Sequence, residues 1–148
     1  MGKPVGCYNC NRGAVFSDIH SNYLALKACF EDARKEYADC FVFLGDYVSG
    51  LSETAKTMEL LYEIQSRYQT VCICGNRERY MLNHRTGRTC LTRNLHDSSH
   101  LYTYEQLTEK DFAFFESLPF YDVVQISDTV LELAHARKSS DRFYFEKS

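Results

Sequence analysis

No part of this chain is apolar for long. Its longest hydrophobic stretches are on the scale of Phe41-Val42-Phe43-Leu44, whereas a membrane span needs about 20 apolar residues, so a transmembrane helix is excluded. The opening Met1-Gly2-Lys3-Pro4-Val5-Gly6-Cys7 lacks the hydrophobic centre of a secretory signal. Gly6 stands where a myristoylation pattern requires Ser or Thr. The chain also lacks a basic excess: 17 Lys and Arg against 20 Asp and Glu leave a net charge of −3, which argues against general nucleic-acid binding. Glycine follows no period that would indicate a fibre. These absences point to a cytoplasmic protein with no membrane or nucleic-acid partner. What is present is ordinary for a folded domain: 148 residues, 45% hydrophobic and 25% charged, the size of a single domain spanning residues 1–148.

Seven cysteines are an odd number, and Cys29, Cys40, Cys72 and Cys74 sit in apolar stretches as buried, reduced thiols would. Cys7 and Cys10 form a C-x-x-C pair, the spacing of a zinc site or a dithiol. No second pair stands at matching distance, since Cys72-x-Cys74 has the wrong spacing. The expectation is an incidental pair in a poorly ordered tail over residues 1–12.

Hydrophobic periodicity then alternates between strand and helix. Ala14-Val15-Phe16 reads as a short strand. From Asn22 to about Tyr37, Tyr23, Leu26, Phe30, Ala33 and Tyr37 recur at helical spacing, with Ser21 or Asn22 as the cap. Cys40–Leu44 is a buried strand. A second helix is expected from Ser52, its N-cap, to about Tyr68, and Val71–Cys74 is a third strand. Strands apolar on both faces and joined by helices indicate a parallel sheet in an α/β fold. A short helix follows from Arg77 to about Asn83, and polar residues 85–100 read as a loop. Thr108 and Asp111 form a capping box for a helix ending near Leu118-Pro119. Residues 121–126 and 129–134 read as a hairpin around Ser127-Asp128.

Each predicted strand ends in a residue able to ligate a metal: Asp18-Ile19-His20, Gly45-Asp46, Gly75-Asn76 and, after the hairpin, His135. In open α/β sheets ligands bind beyond the carboxyl ends of the strands, so these residues should meet at one edge. Mixed oxygen and nitrogen donors suit Mn, Fe or Zn better than Ca or Mg alone. Asp18-x-His20 in an extended segment would put both side chains on one side, and the glycines before Asp46 and Asn76 would allow sharp turns. His84, His96 and His100 read as surface residues. Arg79, Arg85, Arg88, Arg93, Arg137 and Lys138 read as solvated charges.

Ser17-Asp18-Ile19-His20-Ser21-Asn22, Gly45-Asp46-Tyr47-Val48 and Gly75-Asn76-Arg77-Glu78 resemble, in order and spacing over residues 14–135, the motifs D-x-H, G-D and G-N-H-[DE] of the calcineurin-like metallophosphoesterase superfamily. The nearest likeness is to its small bacterial phosphodiesterases and phosphatases. The resemblance implies a layered β-sheet core flanked by helices. It also implies a dinuclear centre of divalent ions, Mn first and Fe, Zn, Ni or Mg as alternatives. Asp18 and His20 would bind one ion, Asp46 would bridge both, and Asn76 and His135 would bind the other. Asn76 and Arg77 would act on the substrate, a small phosphomono- or phosphodiester.

Two departures from the pattern stand out. Arg77 replaces the family's His, and arginine binds phosphate but cannot serve as a general acid; Glu78 is expected to hold Arg77 in place. The family's later G-H-x-H has no counterpart in the 13 residues after His135. The resemblance therefore implies a fold incomplete at its C-terminus, without its last strands. The alternative function is a non-catalytic interaction module, truncated or degenerate, on the same fold.

Overall fold

The computed structural model describes residues 6–8, 11–95 and 97–136. The Cys7–Cys10 pair, His96, Arg137 and Lys138 lie outside the described residues, apart from the backbone of Cys7. The element order is β1 (Gly6–Tyr8), β2 (Gly13–Phe16), α1 (Tyr23–Lys35), β3 (Cys40–Phe43), α2 (Thr54–Arg67), β4 (Gln69–Cys72), α3 (Asn76–Arg85), α4 (Ser98–Gln106), α5 (Glu109–Ser117), β5 (Tyr121–Ile126) and β6 (Thr129–Ala134).

The expected α/β architecture is present. β2, β3 and β4 form a parallel sheet in that order, with Val15, Val42 and Val71 in register. β3 is buried along its whole length because both its faces are covered. Phe41 and Phe43 pack with Leu26, Met58, Leu61, Ile64 and Phe115 from the helices. Cys40 and Val42 pack with Val124, Ile126 and Leu133 of a second sheet. That alternation follows from the two-residue period of a strand. The second sheet, in order β1-β5-β6, combines the expected antiparallel hairpin with β1 added in parallel. The layers are thus helices, parallel sheet, second sheet.

Several local expectations are corrected. The tail predicted over residues 1–12 contains β1, which pairs Gly6–Tyr8 with Val124–Ile126; its partner lies far along the chain, where local pattern gives no signal. Residues 98–106, expected as loop up to residue 100, are helical. α4 is polar, and tertiary contacts hold it: Thr103 is buried and Tyr104 packs on Phe112 at 5.4 Å and on His84 at 4.5 Å. β4 begins and ends two residues before its predicted limits; just beyond it Ile73 N–H still donates to Phe43 O (3.0 Å) of β3, and Cys74 N–H, on the other edge, donates to Pro119 O (2.8 Å). α2 starts at Thr54 with Glu53, not Ser52, as N-cap. Cys29 is exposed, on the solvent side of α1, while Cys40 and Cys74 are buried as expected. Burial pushes the Cys74 thiol up to about 12, so it remains protonated. The Thr108–Asp111 capping box is formed as predicted, and Asn22 is the cap of α1.

Candidate metal centre

Past the last ladder pair of β2 and β3, two loops continue the hydrogen bonding and carry the first two motifs. Asp18 N–H donates to Gly45 O (3.3 Å), His20 N–H to Asp46 O (2.9 Å), Ser21 N–H to Tyr47 O (2.9 Å) and Leu51 N–H to His20 O (3.1 Å). The buried Ser21 hydroxyl also meets Thr54 Oγ1 at 2.8 Å, tying the first loop to the start of α2. Asp18, His20, Ser21, Asp46 and Ser49 all have positive φ, between 50° and 72°. The two ligand side chains are therefore not alternate residues of an extended strand, as the sequence suggested. Left-handed turns aim them, and the reciprocal bonding of two packed loops offsets a backbone cost of order 1 kcal/mol per residue.

Asp46 is the centre of the cluster. Its Oδ2 lies 3.6 Å from His20 Nε2 and 3.4 Å from His135 Nε2, and Arg77 N–H donates to its Oδ1 at 2.9 Å. His20 Nε2 is also 3.6 Å from Asp18 Oδ1. One donor atom each from Asp18, His20 and Asp46 falls within a sphere of mutual distances under 4.8 Å. Asn76 and His135 meet on the other side, with Asn76 Oδ1 3.0 Å from His135 Nε2. His135 Nδ1 donates to Leu44 O at 2.7 Å, which leaves Nε2 as the nitrogen free to ligate. The five predicted ligands are brought together, His135 from the second sheet and the rest from the ends of the parallel sheet.

The donor set fits cations. With its oxygen inward, the Asn76 amide faces the Asp46 carboxylate, acceptor against acceptor, an arrangement a bound cation would satisfy. With its nitrogen inward, it donates to Asp46 Oδ1 (3.1 Å) and Oδ2 (3.0 Å). The amide is thus able to serve either the hydrogen-bonded or the metal-ligating state by one rotation. Burial opposes ionisation of Asp46, but its bonds to His135 and to Arg77 N–H outweigh it and hold the carboxyl below its ordinary value.

The glycines act differently from each other. Gly45 has φ +94 and turns the chain, as expected. Gly75 has ordinary extended backbone, and its role is space: a Cβ there would stand 2.3 Å from both Asp46 N and Asp46 Oδ1. Glu78 does not hold Arg77. It is fully buried, and its carboxylate accepts from the N–H groups of Asp46 (2.9 Å), Tyr47 (2.8 Å) and Gly75 (2.9 Å), locking the second and third motifs together. Burial and the charge of Asp46 push Glu78 up to about 7. Arg77 instead meets His100, a residue assigned to the surface from sequence, whose Nε2 lies 2.8 Å from Arg77 Nη1. Only the placement of α4 brings His100 there. Arg85 pairs with Glu109 and Arg79 stacks on Phe120, so neither serves the cluster.

His135 gives the metal-free site a pH dependence. Its hydrogen bond to Asp46 prevails over burial and raises it from 6.5 to about 9. A raised value means that the stabilisation is fully present below about 6.5 and is lost as pH climbs through about 9. Chelator-treated protein should therefore lose thermal stability across that interval. Protein loaded with a divalent cation in place of that proton should not. Melting curves from pH 6 to 9.5 with and without metal check this, and parallel curves would contradict it.

A parallel sheet whose carboxyl ends gather Asp, His and Asn donors around one buried carboxylate defines an α/β protein of the metallophosphoesterase class. The chain belongs to the calcineurin-like phosphoesterase family, whose model matches residues 12–147; members of this family hydrolyse phosphate esters with divalent metals. Among solved structures, a hypothetical protein from Pyrococcus horikoshii superposes with a TM-score of 0.67 at 19% identity, covering 80% of this chain and 52% of that one. A metallophosphoesterase from Sphaerobacter thermophilus matches with a TM-score of 0.59 at 26% identity, covering 76% and 43%. The chain spans about half the length of these solved structures. No curated protein sequence matches it significantly.

Proposed function

We propose that this protein is a phosphoesterase that hydrolyses a small phosphomono- or phosphodiester at a centre of two divalent ions, Mn first among them. The observation that carries this reading is the position of Asp46 between two donor groups, Asp18 with His20 and Asn76 with His135. In this reading Asp18, His20 and Asp46 hold one ion, and Asp46, Asn76 and His135 hold the other. Bound there, such ions neutralise phosphoryl oxygens and lower the pKa of water towards neutrality.

The chain's own residues prepare the site. Leu44 O orients the His135 ring, and the loop–loop bonds orient Asp18 and His20. Glu78 fixes the backbone on both sides of the centre. Arg77 adds a permanent positive charge for the substrate and supplies no proton to a leaving group. That substitution also favours the second reading, a non-catalytic module, and metal content separates the two: less than one ion per chain supports the module. Exposed Cys29 and Cys90, both free thiols, fit a reducing compartment such as the cytoplasm. Among the described residues, no helix is long and apolar enough to cross a membrane.

The decisive variant is Asp46→Asn. It should abolish uptake of the second ion and reduce hydrolysis of bis(p-nitrophenyl) phosphate in Mn²⁺ by more than about a hundredfold, since even outer partners of metal ligands cost 10–100-fold. Wild-type turnover no greater than that of the variant would sink the proposal.

A further inference from the structure

Arg77 starts at the candidate centre, with its backbone N–H on Asp46 Oδ1, and its side chain runs to α4. There Nη1 lies 2.8 Å from His100 Nε2. Arginine only donates, so Nε2 accepts and the imidazole proton sits on Nδ1. The His100 ring packs edge-on against Tyr80, at 5.1 Å between centroids. Tyr80 follows Arg77 by three residues on α3 and so shares its face of the helix.

The consequence is electrostatic. The partner of the guanidinium is a neutral ring, and among the described residues no carboxylate stands within ion-pair distance of it. Its Nε is buried and has no hydrogen-bond partner. A carboxylate in the place of His100 would orient Arg77 but cancel its charge. An imidazole orients it through Nη1 and leaves the charge and the Nη2 donors for an anion. Planar guanidinium donors match the oxygens of a phosphoryl group.

We propose that His100 is a positioning residue that holds the Arg77 guanidinium beside the metal centre as the receptor for a non-bridging phosphoryl oxygen of the substrate. The inference rests on the phosphoesterase reading. It assigns α4, a helix carrying none of the family motifs, a part in binding.

Inorganic phosphate is the probe, titrated calorimetrically into chelator-treated and Mn²⁺-loaded protein, with metal content measured separately. Two variants divide the role of His100. His100→Phe keeps a ring against Tyr80 and removes the acceptor; His100→Gln removes the ring and keeps an acceptor oxygen. Phosphate affinity should fall about five- to tenfold in His100→Phe, the scale of one lost hydrogen bond, and stay within about twofold of wild type in His100→Gln. Arg77→Lys, which keeps the charge but not the fork, should weaken phosphate by about tenfold. In ¹⁵N NMR of the metal-free protein, His100 should carry its proton on Nδ1. Wild-type affinity in His100→Phe, a larger loss in His100→Gln than in His100→Phe, no phosphate binding in either form of the wild type, or a proton on Nε2 would each overturn the proposal. A chain that takes up no metal defeats the phosphoesterase reading instead, and the metal-free titration then still decides on His100.

Discussion

Glu78→Ala is expected to destabilise the protein by about 3–5 kcal/mol. Three backbone N–H groups, those of Asp46, Tyr47 and Gly75, would lose their acceptor in a fully buried site. Each orphaned donor costs roughly 1–3 kcal/mol, and the space left by the side chain adds a cavity term. Against a typical total of about 5–15 kcal/mol, the variant would be marginal, with a melting temperature lower by on the order of 10 °C. Metal uptake should fall with it, because the same bonds hold the backbone of Asp46. Glu78→Gln, which keeps the shape and one acceptor oxygen, should lose less. Urea denaturation and metal analysis of the two variants test this. Equal stability of wild type and Glu78→Ala would mean that the three donors find other partners.

Gly75→Ala is expected to abolish metal uptake while changing no ligand. The added methyl would stand 2.3 Å from Asp46 N and Oδ1 and 2.9 Å from Glu78 Oε2. Neither neighbour can yield cheaply, since one is the backbone and carboxylate shared by both donor groups and the other is locked by three hydrogen bonds. The conformation of Gly75 is open to any residue, so the effect is purely one of volume, and overpacking of this kind costs about 1–3 kcal/mol. The informative measurement is metal content at a temperature where the variant remains folded. Stoichiometric metal in Gly75→Ala would show that Asp46 can move without losing its role.

Much of the fold was legible in the sequence, and for particular reasons. β3 reads as buried because its run is apolar on both faces, and the helix after it reads from its stripe of Leu60, Leu61 and Ile64. The capping box of α5 is a local pattern, complete within four residues, and the structure forms it. β1 was not legible, because three residues pair with a strand more than a hundred positions away. α4 was not legible either, because its sequence is polar and its helix depends on Thr103 and Tyr104 packing against other elements. His100 reads as a surface residue for the same reason: its partner, Arg77, becomes its neighbour only once α4 is docked.

By itself, the sequence determined the candidate ligands and their order, since residue type and position at strand ends follow from local pattern alone. It also determined that Asp18, His20, Asp46 and Asn76 would share one edge, because parallel strands joined by helices all finish on the same side; the second sheet, with its antiparallel hairpin, brings His135 to them. Only the tertiary structure decided how the ligands are aimed. Asp18, His20 and Asp46 take left-handed backbone conformations that no periodicity encodes, held by bonds between two loops distant in sequence. It also decided the supporting roles: Glu78 as the acceptor for three N–H groups, Gly75 as space for Asp46, and His100 as the partner of Arg77. Such roles depend on what stands within a few ångströms across the fold, and residue type along the chain carries no record of that distance.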